Sequence, residues 1–189
     1  MKGEKCEGAK CVLTKRNFVP GVHGAKGFAR LTNYGKQLMQ KQKAKRMYGL
    51  REKQFHIYFE KAFNKVGKTG ELLFGFLENR LDNTIYRLGF VKSRSQARQM
   101  VSHGHFNVNG ERVNIPSYQV KIGDVISIRE RSLKSPAFQN LKETIEKKEI
   151  VPWISLDKKE LTGKITGTPK LQDVALNVDW QSIVEFYSK

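Results

Sequence analysis

Residues 80–110 read RLDNTIYRLGFVKSRSQARQMVSHGHFNVNG, and this stretch decides the fold. Ser93 and Gln96 form a capping-box pair, Ala97, Met100 and Val101 supply a short apolar face, and Gly104 is a C-terminal stop, so a helix is expected from about Arg94 to His103. Arg94 and Arg98 lie on its opposite side one turn apart, with Gln99 a little round from them. Phe106 and Val108 then alternate with polar neighbours up to Asn109-Gly110, a strong hairpin signal, and Arg112-Val113 begins the returning strand. Gly123-Asp124 marks another turn, and Val125 to Arg129 alternates again, with Ile126 and Ile128 on one face. Residues 81–130 are therefore expected to form a compact α+β unit of two short helices and a small antiparallel sheet.

Upstream the periodicity is helical. Leu73, Leu77, Leu81, Ile85 and Leu88 form a stripe, with a bend near Asn79 expected because Asp82 and Asn83 suit caps better than helix interiors. Asp82 is read as a helix cap. Gly67-Lys68-Thr69-Gly70 separates this stripe from an earlier one carrying Phe55, Phe59, Ala62 and Val66 on one face. Before Gly49, a cap at Thr32 or Asn33 opens a segment from Tyr34 to Tyr48 that holds Lys36, Lys41, Lys43, Lys45 and Arg46 and no acid. Residues 1 to about 31 are rich in Gly and Lys, and Pro20-Gly21-Val22-His23-Gly24 reads as tight turns whose amides, with Lys26 and Arg30, suit a phosphate chain.

Downstream the text is less periodic. A short helix is expected around Asn140 to Lys148, loops and short strands between Pro152 and Pro169, and a strand or docking segment at Ile183 to Tyr187.

Charge sets the functional class. The 189 residues carry a formal net charge of +17, and residues 1–53 alone hold 14 basic and 3 acidic side chains. Residues 81–131 form a second focus, with 8 basic and 4 acidic side chains. Such a field calls for a polyanionic partner. With 39% hydrophobic residues the chain can still bury a core, so it is no disordered polycation. No run approaches the roughly 18 to 20 apolar residues of a membrane span, so a cytosolic protein without a membrane partner is expected. Cys6 and Cys11 have the spacing of half a zinc site, which needs two further ligands, so neither a bound metal nor any other cofactor is expected.

No constellation for catalysis stands at useful spacing. Gly67-Lys68-Thr69 lacks the glycine-rich approach of a phosphate loop, and His103 and His105 flank Gly104 with no neighbouring Asp or Cys. Arg80-Leu81-Asp82 is similar to the catalytic stretch of RNA pseudouridine synthases, but Thr84 is one residue too close and no large catalytic domain accompanies it. RNA binding asks for something else, namely cations at phosphate spacing on a rigid scaffold with planar groups for bases, and these are abundant.

The motifs name the polyanion. Arg80-Leu81-Asp82-Asn83, Tyr86-Arg87-Leu88-Gly89-Phe90, Ser93-Arg94, Ala97-Arg98-Gln99, Val101-Ser102-His103-Gly104-His105 and Val108-Asn109-Gly110 resemble the small RNA-binding domain named after ribosomal protein S-four. Pro20 to Gly24, Tyr34 to Leu38, Lys41-Gln42-Lys43, Tyr48-Gly49, Thr69-Gly70-Glu71, Val113 to Tyr118 and Ile183 to Ser188 extend the resemblance to the whole bacterial S-four family. It implies a mostly helical N-terminal domain, residues 1–77 with a basic extension, completed by residues 173–189. The insertion between them, 78–172, contains the small module at about 80–140.

The resemblance also implies direct binding of small-subunit rRNA, nucleation of subunit assembly, neighbouring small-subunit ribosomal proteins as partners, and a place beside the messenger RNA where decoding accuracy is set. Carried residue by residue, Arg94, Arg98, Gln99 and His103 look like RNA contacts of the small module. Gly21, His23, Tyr34, Lys41, Lys43, Lys45, Arg46 and Arg51 look like those of the helical domain, joined by Lys26, Arg30 and Lys36 from the chemistry above. Zinc-binding members have two cysteine pairs, and Cys6 and Cys11 match only the second.

Overall fold

Two stripes of large apolar side chains and a run of β-branched residues build two cores in one chain. The computed structural model describes residues 9, 11–18, 20–26, 30–135, 138, 141, 145, 150–174 and 176–188. Cys6, the side chain of Lys26 and most of the helix expected at Asn140 to Lys148 lie outside the described residues.

The helical part opens with a single turn, α1 (Val12–Lys15), and a 3-10 turn at Gly24–Lys26. α2 (Asn33–Met47) follows, and its cap is Thr32, whose Oγ1 accepts from the Gly35 amide at 3.1 Å. α3 (Glu52–Phe63) and α4 (Thr69–Glu78) form an antiparallel pair joined through Gly67. Phe55, Phe59 and Ala62 are buried as their spacing predicts, but Val66 lies beyond the helix end and is fully exposed. Its periodic position meant nothing once the helix had stopped at Phe63.

Of the strand or docking segment expected at Ile183 to Tyr187, the structure gives the second: the C-terminal segment packs on this core as a helix, α8 (Trp180–Tyr187). Asp179 decides the matter, because its Oδ1 accepts from the amides of Gln181 and Ser182 at 3.1 and 3.3 Å and starts a helix. Trp180 and Ile183 then point inward together, and Trp180 meets Phe74 edge to face at 5.5 Å. Five successive mostly apolar residues cannot distinguish strand from helix by themselves; the cap does.

The other part begins with α5 (Leu81–Arg87) and α6 (Arg94–Ser102). The chain does bend at Asn79, yet Asp82 and Asn83 are not caps: Arg80 occupies the cap position, and both residues are buried inside the first turn of α5. The Ser93 hydroxyl accepts from the Gln96 amide as expected, while the Gln96 side chain reaches the amide of Lys92, one residue outside a capping box.

β1 (Phe106–Val108), β2 (Glu111–Arg112) and β3 (Val125–Ile128) form the expected antiparallel sheet around a turn in which Asn109 and Gly110 both take positive φ, 52° and 85°. A short helix, α7 (Glu130–Leu133), follows. β4 (Ile154–Asp157) and β5 (Thr162–Ile165) then extend the sheet to the order β2-β1-β3-β5-β4, antiparallel throughout. Gly163 of β5 is where the Leu88 side chain presses on the sheet, and a Cβ there would overlap it. Leu81, Ile85, Leu88, Val101, Phe106, Ile126 and Ile165 are the fully or nearly fully buried centre of this core. The architecture is α+β: a mostly helical N-terminal domain completed by the C-terminal segment, with a small domain of helices and antiparallel sheet inserted between.

Candidate nucleic-acid interface

The helical domain exposes basic side chains that have no anionic partner among the described residues. His23, Arg30, Lys36, Arg46 and Arg51 are exposed, Lys43 is half-buried, and none of them is ion-paired among the described residues. Gly21 takes a φ of +116° and its carbonyl accepts from the Gly24 amide at 3.1 Å, which turns the loop that carries His23. Tyr34 is exposed on the first turn of α2 and its ring leans on Phe186 at 5.6 Å, so its face is fixed by the C-terminal helix. Exposed cations beside a held aromatic ring are what a phosphate chain with accessible bases requires.

Lys41 and Lys45 on the same helix are committed inward. Their ammonium groups donate to the two oxygens of Glu52 at 2.7 and 2.8 Å, and Lys41 is buried with its charge 4.5 Å from the centre of the Phe186 ring. The Tyr187 hydroxyl also donates to Glu52, at 2.7 Å. Burial pushes the Glu52 carboxyl up, but the bonds from Lys41, Lys45 and Tyr187 outweigh it and hold the group at about 2. Tyr187 is pushed well above the ordinary phenol range by its burial and by Glu52. α2, α3 and α8 are thus tied together by one charged node.

Between the two cores runs a buried polar seam. Glu78 is 1% exposed at the end of α4, and both its oxygens are occupied: Arg87 grips it with Nε and Nη2 at 2.8 and 2.7 Å, Tyr48 donates at 2.6 Å and Asn83 at 2.7 Å. Burial pushes the carboxyl up and Arg87 more than reverses it, so Glu78 stays ionised below the usual range. Asp82 is the second anion. Arg80 binds both its oxygens at 3.0 and 2.8 Å, and Arg98 binds one of them at 3.0 and 2.9 Å. Arg80 also donates to the Tyr58 hydroxyl at 2.7 Å, back in the helical core.

Arg94 and Arg98, one turn apart on α6 as the spacing predicts, are half-buried where that helix meets the α2–α3 corner. Arg98 donates to the carbonyls of Gly49 and Tyr48 at 2.6 and 3.2 Å. Arg94 donates through Nε to Asn83 at 2.7 Å and lies over the rings of Tyr86 and Tyr48, at 4.6 and 5.0 Å from their centres. Its two terminal nitrogens make no hydrogen bond among the described residues. No buried side-chain nitrogen or oxygen among the described residues lacks a partner, so the seam is complete as built. Gln99 and His103 stand outside it, both exposed.

Sequence reading assembled the cations of α2 and α6 but not their partners. Glu78, Tyr48, Tyr58, Arg80 and Arg87 were missed. A signal existed, since Glu78 interrupts an apolar stripe with an arginine two and nine residues later, and a carboxylate on a buried face needs such partners. Asp82, whose side chain is 4% exposed between two guanidinium groups, presents no carboxylate to a substrate. No three His, Cys, Asp or Glu side chains converge as a metal site among the described residues. No helix is long and apolar enough to cross a membrane among the described residues.

Known proteins place this arrangement. Residues 1–78 match the family model of the ribosomal protein S4/S9 N-terminal domain, and residues 79–126 match that of the S4 domain. The small ribosomal subunit protein uS4A of Alkaliphilus metalliredigens is 50% identical over 189 residues, covering 100% of this chain and 90% of the relative. Small ribosomal subunit proteins uS4 of Acetivibrio thermocellus and Thermus thermophilus are 48% and 45% identical with the same coverage. With identity at that level along its whole length, the chain belongs to the uS4 family of small ribosomal subunit proteins.

Proposed function

We propose that this chain is a structural constituent of the small ribosomal subunit, not an enzyme, and that it binds small-subunit rRNA directly through two faces held at a fixed angle by the polar seam. The observation that carries this is the set of basic side chains on α2 and its flanking loops that have no ion-pair partner among the described residues, in a chain whose relatives are small-subunit proteins along its full length. In this reading His23, Arg30, Lys36, Lys43, Arg46 and Arg51, with Lys26, contact phosphates, while Gly21 and Tyr34 shape the surface. Gln99, His103 and the free edge of Arg94 serve the small domain. Lys41, Lys45 and Arg98 act from within, orienting the helices that carry the contacts.

The units correspond to residues 1–77 with 173–189 and to 78–172, which gives each core its own rRNA face. A protein that joins two RNA segments early nucleates assembly, and its remaining surfaces meet neighbouring ribosomal proteins and messenger RNA where decoding accuracy is set. It works in the cytoplasm, in the ribosome.

Filter binding to a small-subunit rRNA transcript tests the reading. Each of Lys36→Ala and Arg46→Ala should lower the dependence of log affinity on log salt by about one, with little change in preference between sequences. Equal affinity for duplex DNA at matched salt, or sedimentation of the chain wholly outside ribosomal particles, would overturn it.

A further inference from the structure

A second basic group sits on the small domain, away from the seam. α6 ends at Ser102 and the chain reverses at Gly104, which takes a φ of +72° and brings the rings of His103 and His105 to 6.0 Å. β2 carries Arg112 across this reversal: its Nη2 lies 3.4 Å from the His103 carbonyl, and its guanidinium occupies the space a Cβ on residue 104 would need. Past β3, the backbone amide of Arg129 donates to the His105 carbonyl at 2.9 Å. Three separate elements therefore bring His103, His105 and the Arg112 guanidinium to one corner, and the charge of Arg129 reaches His105 there.

No carboxylate among the described residues answers them. Neither Arg112 nor Arg129 is ion-paired among the described residues, and their sequence neighbours Glu111 and Glu130 are exposed and bonded to neither. His105 is half-buried, its Nδ1 shares a hydrogen bond with the Ser132 hydroxyl at 2.9 Å, and its ring meets Phe138 edge to face. Burial first, then the charges of His103, Arg112 and Arg129, hold His105 below the ordinary histidine range, so the ring is neutral at neutral pH. The seam shows how this chain treats four arginines that need company inside the fold, with two buried carboxylates supplied. Here two arginines beside two imidazoles meet no carboxylate among the described residues, and an anion from outside would supply the partner.

We propose that His103, His105, Arg112 and Arg129 together hold one backbone phosphate of the rRNA, and that His105 takes up a proton as the phosphate arrives. The site presupposes the rRNA binding proposed above and adds its chemistry. A phosphate beside the imidazole favours the charged ring, so His105 titrates at higher pH in the complex than in the free chain. Protons are then bound on association, and affinity rises as pH falls through the bound-state value and levels off below the free-state value.

The full-length chain and a small-subunit rRNA transcript at fixed ionic strength test this. Between about pH 8 and about pH 6 the affinity should tighten about three- to tenfold, one tenfold step per unit by which the complex raises the histidine. His105→Asn, which keeps a side-chain partner for Ser132, should flatten the pH profile of the affinity. Arg112→Gln and Arg129→Gln should each lower the salt slope by about 0.7 to 1. The NMR titration midpoint of the His105 ring in the unsubstituted chain should move up on adding the transcript, and this measurement decides alone if His105→Asn does not fold. A flat wild-type profile, a pH dependence that survives in His105→Asn, or a midpoint that does not move would overturn the proposal. Absence of any rRNA binding near pH 8 would instead overturn the rRNA reading beneath it.

Discussion

The seam and the outer face of α2 are both rich in cations, and they use them in opposite ways. In the seam, Arg80, Arg87, Arg94 and Arg98 surround Glu78 and Asp82, and each side-chain nitrogen or oxygen that is buried has a partner. On α2, Lys36, Lys43 and Arg46 meet no carboxylate among the described residues and face outward or partly so. Lys41 and Lys45, on the same helix, belong with the seam in kind, because Glu52 claims them. A count of basic residues per segment treats all of these alike. What separates them is whether an acid lies within bonding distance, since a paired charge positions the fold and an unpaired one is available to RNA.

The contrast is open to direct attack, and the largest effect falls on its buried side. Glu78→Gln leaves Arg87 without its anion inside the seam and should cost about 3–5 kcal/mol of unfolding free energy, measured by urea denaturation. Replacing Glu78 and Arg87 together by Leu and Met should cost clearly less than Glu78→Gln alone, because no orphan charge then remains. A double variant as unstable as the single one would mean that Arg87 contributes packing rather than charge.

Arg98→Lys comes next. An ammonium cannot hold Asp82 and the Gly49 and Tyr48 carbonyls at once, so a loss of about 1–2 kcal/mol is expected by the same measurement. A neutral result would show that the α6 contact with the α2–α3 corner is dispensable.

Acid resolves the Glu52 node. Because Glu52 is held at about 2 in the folded chain against 4.5 otherwise, its contribution is fully present above about 4.5 and is lost as pH falls towards about 2. Glu78, also depressed, loses its contribution in the same direction. Glu52→Gln should therefore make the decline of stability below about pH 4.5 shallower without abolishing it. An unchanged decline would remove Glu52 from the balance.

Smallest of all on stability is the outer face. Lys36→Ala and Arg46→Ala should each change unfolding free energy by less than about 0.5 kcal/mol, while the proposed function has them weaken rRNA binding. A larger loss of stability would place these side chains with the buried set and erase the distinction between the two regions.

Much of the architecture was readable in residue order because it depends on local rules. Thr32 and Ser93 as helix starts, Gly67 and Gly104 as stops, Asn109-Gly110 as a hairpin turn, and the alternation of Ile126 and Ile128 each act within a few residues. The failures have the same explanation in reverse. Val66 kept the period of a helix that had ended, and Ile183 to Tyr187 was apolar enough for either element until Asp179 was seen to cap it.

Residue order alone also settled the family, through motifs that run the length of the chain, and the sign and placement of the charge. It could not say which cations were free. Arg98 bonds to the carbonyl of Gly49 across 49 positions, Arg94 stacks on Tyr48, and β4 and β5 join a sheet that begins back at Phe106. Such contacts follow from how two cores press on each other, and the electrostatic fate of a side chain follows from distance in space. Only the tertiary structure could divide one basic chain into arginines that hold it together and cations that meet no acid among the described residues.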